Sequence, residues 1–396
     1  MAARLHCSIA RDSKVTDGAV TEAARVLIAA DKFKGSLTAV QVAERVTAGL
    51  RRAVPGVEIE TLPVADGGDG TVAAALAAGF ERREVRVTGP LGDQVTATFA
   101  LRGGTAVVEM AEASGLQLLP AGTFAPLTAT TYGSGEVLKA ALDAGARSIV
   151  FGVGGSATTD GGAGMLAALG AVFLDANGEA VGPGGGALAD LASADLSGVD
   201  PRFAEVDFVL ASDVDNPLTG PKGCAAVYGP QKGASPEDVA TLDAALAHYA
   251  QVLEKAIGPK ATELAASPGA GGAGGIGYGA LLLGASFRPG IELMLEVLGF
   301  APALERATLV ITGEGSLDEQ TLHGKAPAGV AAAARAAGKP VVAVCGRLLL
   351  GQEALEGAGI RKAYPLTDLE PDPAKSIPNA GPLLEQVAAN IAADVL

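Results

Sequence analysis

RVLIAADKFKGS, residues 25–36, joins an apolar, β-branched run to a turn carrying Asp31, Lys32, Lys34 and Gly35. An apolar run without polar alternation reads as a strand buried on both faces, as in a parallel sheet covered by helices. Just downstream, Ala43, Val46, Leu50 and Val54 recur at helical spacing over 38–54, with Ser36 or Thr38 placed to cap that helix. The stretch therefore reads strand, turn, helix, the repeating unit of an open α/β sheet. Four more clusters follow the same grammar. ADGGDGT (65–71) follows TLPV, GVGGSATTDGGAG (152–164) follows SIVF, SDVDNPLTGPKG (212–223) follows DFVLA, and GEGSLDEQTLHGK (313–325) follows TLVIT. Such sheets place their chemistry at the carboxyl ends of the strands.

Working outward, VEIETLPV (57–64) reads as a second strand and 69–79 as a second helix. Near the end of the chain, TLVIT (308–312), PVVAVCG (340–346) and IRKAYPL (360–366) read as strands, alternating with Ala-rich helices at 326–338, 351–358 and 382–396. The middle breaks this rhythm. REVRVTGP, QVTATFALRG and TAVVEMAE (83–112) form a meander with turns at Gly92-Asp93 and Gly103-Gly104, followed by helical patterns at 133–145, 158–169 and 236–257. The expected fold is α/β with two domains. Residues 25–85 and 293–396 build a flavodoxin-like five-stranded parallel sheet, and a second, mixed α/β domain (86–292) is inserted into it. Residues 1–24 read as an N-terminal extension. The site is expected in the cleft between the domains, with hinges in the Gly-rich stretch 268–279 and near 86–92.

Composition narrows the function. The chain has 396 residues, with 44 acidic and 29 basic side chains and a formal net charge of −15. That balance argues against nucleic acid as a partner. Cys7, Cys224 and Cys345 lie far apart, which fits a reducing cytoplasm better than a disulfide framework. No run approaches the ~18 apolar residues of a membrane span, and 1–24 has no secretory core.

Glycine lets backbone N–H groups approach phosphate, lysine neutralises it, and paired aspartates can hold Mg²⁺. This mixture, five times over, is what phosphoryl transfer requires. Lys32 and Lys34 alternate toward one side and are candidate anion ligands, with Ser36 beside them. Asp66 ends a strand and leads into Gly67, Gly68 and Thr71. Gly154, Gly155, Ser156, Thr158, Thr159 and Asp160 read as a phosphate loop entering a helix. The same stretch also carries GxGxxA with Asp175 further on, a mimic of a dinucleotide fingerprint. Asp213 and Asp215, two apart, would face one side of an extended chain as a metal or hydroxyl-activating pair, unless they form an Asx-turn. The last cluster supplies Gly313, Glu314, Ser316, Asp318 and Lys325, and its GK lacks P-loop spacing. His323 beside it reads as structural.

Together, DKFKGSLTA, PVADGGDGT, GGSATTDGG, SDVDNPLTGPKGCAA and TGEGSLDEQTLHGKAP resemble the bacterial glycerate kinase family over roughly 25–390. The family pattern has Ala where this chain has Cys224. The resemblance implies ATP-dependent phosphorylation of D-glycerate with Mg²⁺, more readily to 2-phosphoglycerate than to 3-phosphoglycerate. It implies a two-domain α/β fold with one discontinuous domain. The substrate carboxylate would then go to Lys32 or Lys34, with Ser36, Asp66, Gly67, Gly68 and Thr71 around it. Asp66, Asp213, Asp318 and Lys325 become the catalytic candidates, Asp213 and Asp215 the metal ligands, and the glycine loops the nucleotide ligands. The implied partners are small molecules, not nucleic acid or membrane, for a cytoplasmic monomer or homodimer. An NAD(P)-dependent oxidoreductase using 152–175 and a non-catalytic nucleotide sensor are the competing classes.

Overall fold

The structure, a computed structural model, describes residues 24–322 and 324–396. Residues 1–23 and His323 lie outside the described residues, and with them most of the expected extension. Thirteen strands run along the described chain: β1 (Arg25–Ala30), β2 (Glu58–Thr61), β3 (Glu81–Thr88), β4 (Gln94–Arg102), β5 (Thr105–Glu109), β6 (Ser148–Gly152), β7 (Val172–Leu174), β8 (Ser193–Asp195), β9 (Asp207–Ala211), β10 (Ser286–Arg288), β11 (Leu309–Leu317), β12 (Val341–Leu348) and β13 (Lys362–Pro365).

One sheet has the order β13-β12-β11-β1-β2, all parallel. This is the expected flavodoxin-like arrangement, with a switch point between β1 and β11. The second sheet has the order β10-β9-β6-β5-β4-β3, parallel from β10 to β5 and antiparallel through β4 and β3.

Period-two alternation sorts the strand side chains into three cores. In β1, Val26, Ile28 and Ala30 pack against Val46 and Leu50 of the helix Ala39–Ala53 and Leu384 and Ile391 of the helix Ala380–Val395. Thr38 caps the first of these helices in a capping box with Gln41. Leu27 and Ala29 face the opposite way, into a middle core. Val150 of β6 and Val209 of β9 enter that same core from the second sheet, while Phe151, Phe208 and Leu210 enter a third core beyond it. The middle layer is filled by the helices Thr71–Ala77, Gly290–Leu298 and Ala326–Ala336. Met294, fully buried there, contributes to a core shared by both sheets, so Met294→Ala would cost about 2–5 kcal/mol.

Several sequence expectations shift. The boundary at 85/86 cuts through β3, which belongs wholly to the second sheet, and 292/293 cuts the helix Gly290–Leu298. The helix expected at 158–169 begins only at Ala163, because 158–162 are consumed by a tight loop with Gly161 and Gly162 at positive φ. β11 runs through the Gly-Glu-Gly triplet to Leu317, where a loop was expected, since it keeps pairing with β12. The stretches anticipated as hinges are not linkers between the two sheets: 89–92 is the turn joining β3 to β4 within one sheet. Residues 86–88 lie in β3. Most of 268–279 is buried, and a Cβ on Gly274 or Gly275 would meet Thr158 O at 1.9 Å or Gly161 Cα at 2.7 Å. That stretch is interior packing, with glycine chosen for close approach.

Candidate active site

Both sheets turn the carboxyl ends of their parallel strands toward one cleft. Its cavity of about 800 Å³ is lined from both sheets, by Asp31, Lys32, Lys34, Ser36, Asp66, Gly68, Gly154, Gly155, Glu314, Ser316 and Lys325 among others. β1 and β11 part at the switch point. There Asp31 donates its backbone N–H to Gly313 O at 2.8 Å, which sets Asp31 and Glu314 side by side.

The loop after β2 is pressed against the second sheet. A Cβ on Gly67 would lie 2.9 Å from Ala211 O, one on Gly152 2.7 Å from Gly67 O, and one on Gly154 2.7 Å from Gly68 Cα. Any side chain at these positions would force the loops apart. Glu109, at the end of β5, crosses the same gap. Its carboxylate accepts from the backbone N–H groups of Gly70 and Val72, at 3.1–3.2 Å and 3.1 Å, and so caps the helix Thr71–Ala77 from the other sheet. Burial pushes Glu109 up to about 7, against the pull of the Val72 N–H.

The cleft floor is strongly acidic. Burial raises Asp31 to about 7; Lys32 draws it down and Asp66 pushes it further up. Burial also raises Glu314, which accepts from Thr321 Oγ1 at 2.6 Å and pairs with Lys325 Nζ at 3.7 Å. Asp66 accepts Gly68 N–H at 3.1 Å. Its charge acts on Asp31, Glu314 and Asp213 alike. Asp213 accepts Gly290 N–H at 2.8 Å. It keeps contact with solvent, yet the surrounding protein and then Asp66 raise it to about 7, a rise that the solvent partly screens. Lys32 donates to Asp69 O and lies 3.7 Å from Asp69 Oδ2. Burial works against its charge, but Asp31, Asp69 and Asp66 outweigh burial and hold the ammonium above its ordinary value. Lys34 is exposed to the cleft and has no ion-pair partner among the described residues.

Residues 26–396 match the family described as the Glycerate kinase family. The chain belongs to this family. Similar proteins include a glycerate kinase of Halalkalibacterium halodurans, 47% identical over 93% of this chain and 97% of that one. A Bacillus subtilis glycerate kinase is 46% identical over 94% and 97% of the two chains. A glycerate 2-kinase of Escherichia coli is 46% identical over 82% and 85%. Among solved structures, a putative glycerate kinase 2 from Salmonella typhimurium LT2 superposes with a TM-score of 0.80 at 42% identity, covering 94% of this chain and 98% of that one. The protein is thus an enzyme of the kinase class, and no helix among its described residues is long and apolar enough to cross a membrane.

Within this glycerate kinase fold, several sequence-picked residues lie away from the cleft. Thr158, Thr159 and Asp160 are buried, at 0%, 0% and 1% exposure. Asp160 accepts from Thr131 N and Thr131 Oγ1, both at 2.8 Å, and from Gly162 N and Gly164 N at 3.2 and 3.3 Å. It organises the loop and the start of the helix behind it and cannot meet phosphate. Ser156 also points inward and accepts from Lys232 Nζ at 2.6 Å. Only Gly154 and Gly155 of that cluster line the cleft.

The dinucleotide mimic fails too. β7 pairs antiparallel with β8, so Asp175 stands in a local hairpin and not at a parallel strand end. Thr71 is buried with its hydroxyl on Gly68 O at 2.6 Å. Asp318 is absorbed in its own turn, accepting Gln320 N–H at 3.0 Å and Ser316 Oγ at 3.2 Å. Strand geometry does not align Asp215 with Asp213. β9 stops at Ala211, so period-two alternation no longer holds, and Asp215 lies close enough to Tyr228 to raise its hydroxyl pKa, second to burial.

Three residues carried no assigned role in the sequence. Asp31 and Glu109 share a signal: each is the first charged residue after a buried strand run. Lys232, in GPQKG, gave none. It is 2% exposed, and burial lowers it to about 8.

Proposed function

We propose that this enzyme transfers the γ-phosphoryl group of ATP to the 2-hydroxyl of D-glycerate, in the cleft between its two sheets. The convergence of residues from four separate clusters on one cleft, with lysines facing a knot of carboxylates, carries the reading. Membership of the glycerate kinase family supports the substrate, and the name of the Escherichia coli relative supports the 2-position.

Lys34, exposed in the cleft, and Lys32 behind it are placed to hold the glycerate carboxylate. Asp213, fixed by Gly290 N–H and raised toward neutrality, is suited to orient the attacking hydroxyl and accept its proton. The described residues hold no ready-made cluster of three metal ligands. Mg²⁺ typically uses one or two carboxylates, with phosphate oxygens and water completing the shell. Asp66, central among the acidic groups, fits that role with Glu314 or Asp31. Bound there, the ion would neutralise charge developing on the phosphates. Lys325, next to Glu314, would supply a second positive charge.

The test is purified protein with ATP, Mg²⁺ and D-glycerate, followed by ADP release and by NMR of the product. Phosphorus coupling to the C2 proton is the expected outcome. Coupling to the C3 protons would overturn the 2-position. Nucleotide binding without ADP release would favour a nucleotide sensor.

A further inference from the structure

The cleft is far larger than a three-carbon acid requires, and its two ends differ in chemistry. One end is the acidic knot around Asp66. The other lies over the ends of β12 and β13, walled by Leu366, Thr367, Pro373 and Ile377. Leu366 is buried, but Ile377 is 52% exposed, an uncovered aliphatic side chain on the cleft wall. Between the two ends the floor is bare backbone at Gly315 and Gly346. Cations flank this strip. Arg347 donates to Ser316 Oγ at 3.0 Å and, like Lys34, forms no ion pair with a described carboxylate.

Resting on the kinase reading above, we propose that the apolar end takes the purine ring of the nucleotide. The phosphates would then run along the glycine floor, past Arg347, toward Asp66 and Lys325. This assigns the base to the five-stranded sheet. Nucleotide pockets pair an apolar slot with a few polar groups, at the carboxyl ends of strands in α/β sheets. A second large groove, of about 960 Å³, lies between the helices Gly290–Leu298 and Ala326–Ala336. Its walls carry Glu292 and Glu296, the latter paired with Arg288 at 2.8 Å, and its one cation among the described lining residues, Arg335, donates to Gly357 O at 2.8 Å. That groove lacks the set of cations, Lys32, Lys34, Lys325 and Arg347, with which the cleft can meet a triphosphate.

Photolabelling of the wild-type protein with 8-azido-ATP tests this without any variant. Label in the peptide 361–380 supports the proposal. Label in 289–301 or 326–336 overturns it. Steady-state kinetics of two variants give an independent reading. Ile377→Asp should raise KM for ATP by about tenfold or more, leaving KM for D-glycerate within about twofold. Ala332→Phe, which fills the other groove, should leave both unchanged. The reverse pattern overturns the assignment. Protein that is labelled in 361–380 yet does not phosphorylate D-glycerate would sink the kinase reading while supporting the base site. Turnover with label elsewhere does the opposite.

Discussion

The turns after β1 and after β6 look interchangeable as sequence. Each follows a buried apolar run, and each is dense in glycine and small polar or charged residues. In the fold they part company. The first opens at the switch point, and Lys32, Lys34 and Ser36 line the cleft. The second offers the cleft only Gly154 and Gly155. Its Ser156, Thr158, Thr159 and Asp160 turn inward, against Thr131, Lys232 and the glycines at 274 and 275. A polar cluster at a strand end is therefore as apt to serve the interior as the substrate. What separates the two is whether another segment packs over it.

Substitutions can break this contrast. Asp213→Asn, at the carboxylate held by Gly290 N–H within the field of Asp66, should lower kcat by about 10²-fold or more, the scale of general-base loss, with near-UV circular dichroism unchanged. A wild-type kcat would return Asp213 to a purely structural role on Gly290.

Asp160→Ala, on the interior side, should lower the unfolding free energy by about 3 kcal/mol or more, because four donors lose a buried acceptor. Kinetic constants of the folded fraction should stay within about threefold. A large kcat loss at wild-type stability would place Asp160 back among the phosphate ligands.

Lys34→Met keeps the apolar stem and removes the charge. Loss of one charge-assisted hydrogen bond, roughly 1.5–3 kcal/mol, should cut kcat/KM by about 10- to 150-fold with little change in Tm. An unchanged kcat/KM would mean a solvated lysine.

The smallest effect concerns the bridge between the sheets. Glu109 sits at about 7 in the folded chain against 4.5 for the ordinary group, so the folded state keeps its proton over that window and unfolding releases it. Stability from this group is present below pH 4.5, falls as pH rises toward 7 and is level above, by at most about 3 kcal/mol. Glu109→Gln should flatten the fall in Tm between pH 5 and pH 8. An equal fall in the variant would show that Glu109 titrates normally.

The sequence by itself determined the strand–turn–helix order and the five-stranded parallel sheet. Continuous apolar runs, helical periodicity and glycine turns are local signals, and local physics largely fixes the elements they encode. It also determined the motifs that carry the family resemblance. Which motif residues face the cleft was decided only by the tertiary structure. Asp66 and Asp213 come from different sheets, and their coupling exists only because glycines at 67, 152 and 154 let the loops touch. Lys232 acquires its meaning only when the chain buries it behind Ser156. Burial is a property of the packed whole: a side chain's neighbours, and hence its charge state and its access to substrate, are set by segments tens to hundreds of residues away.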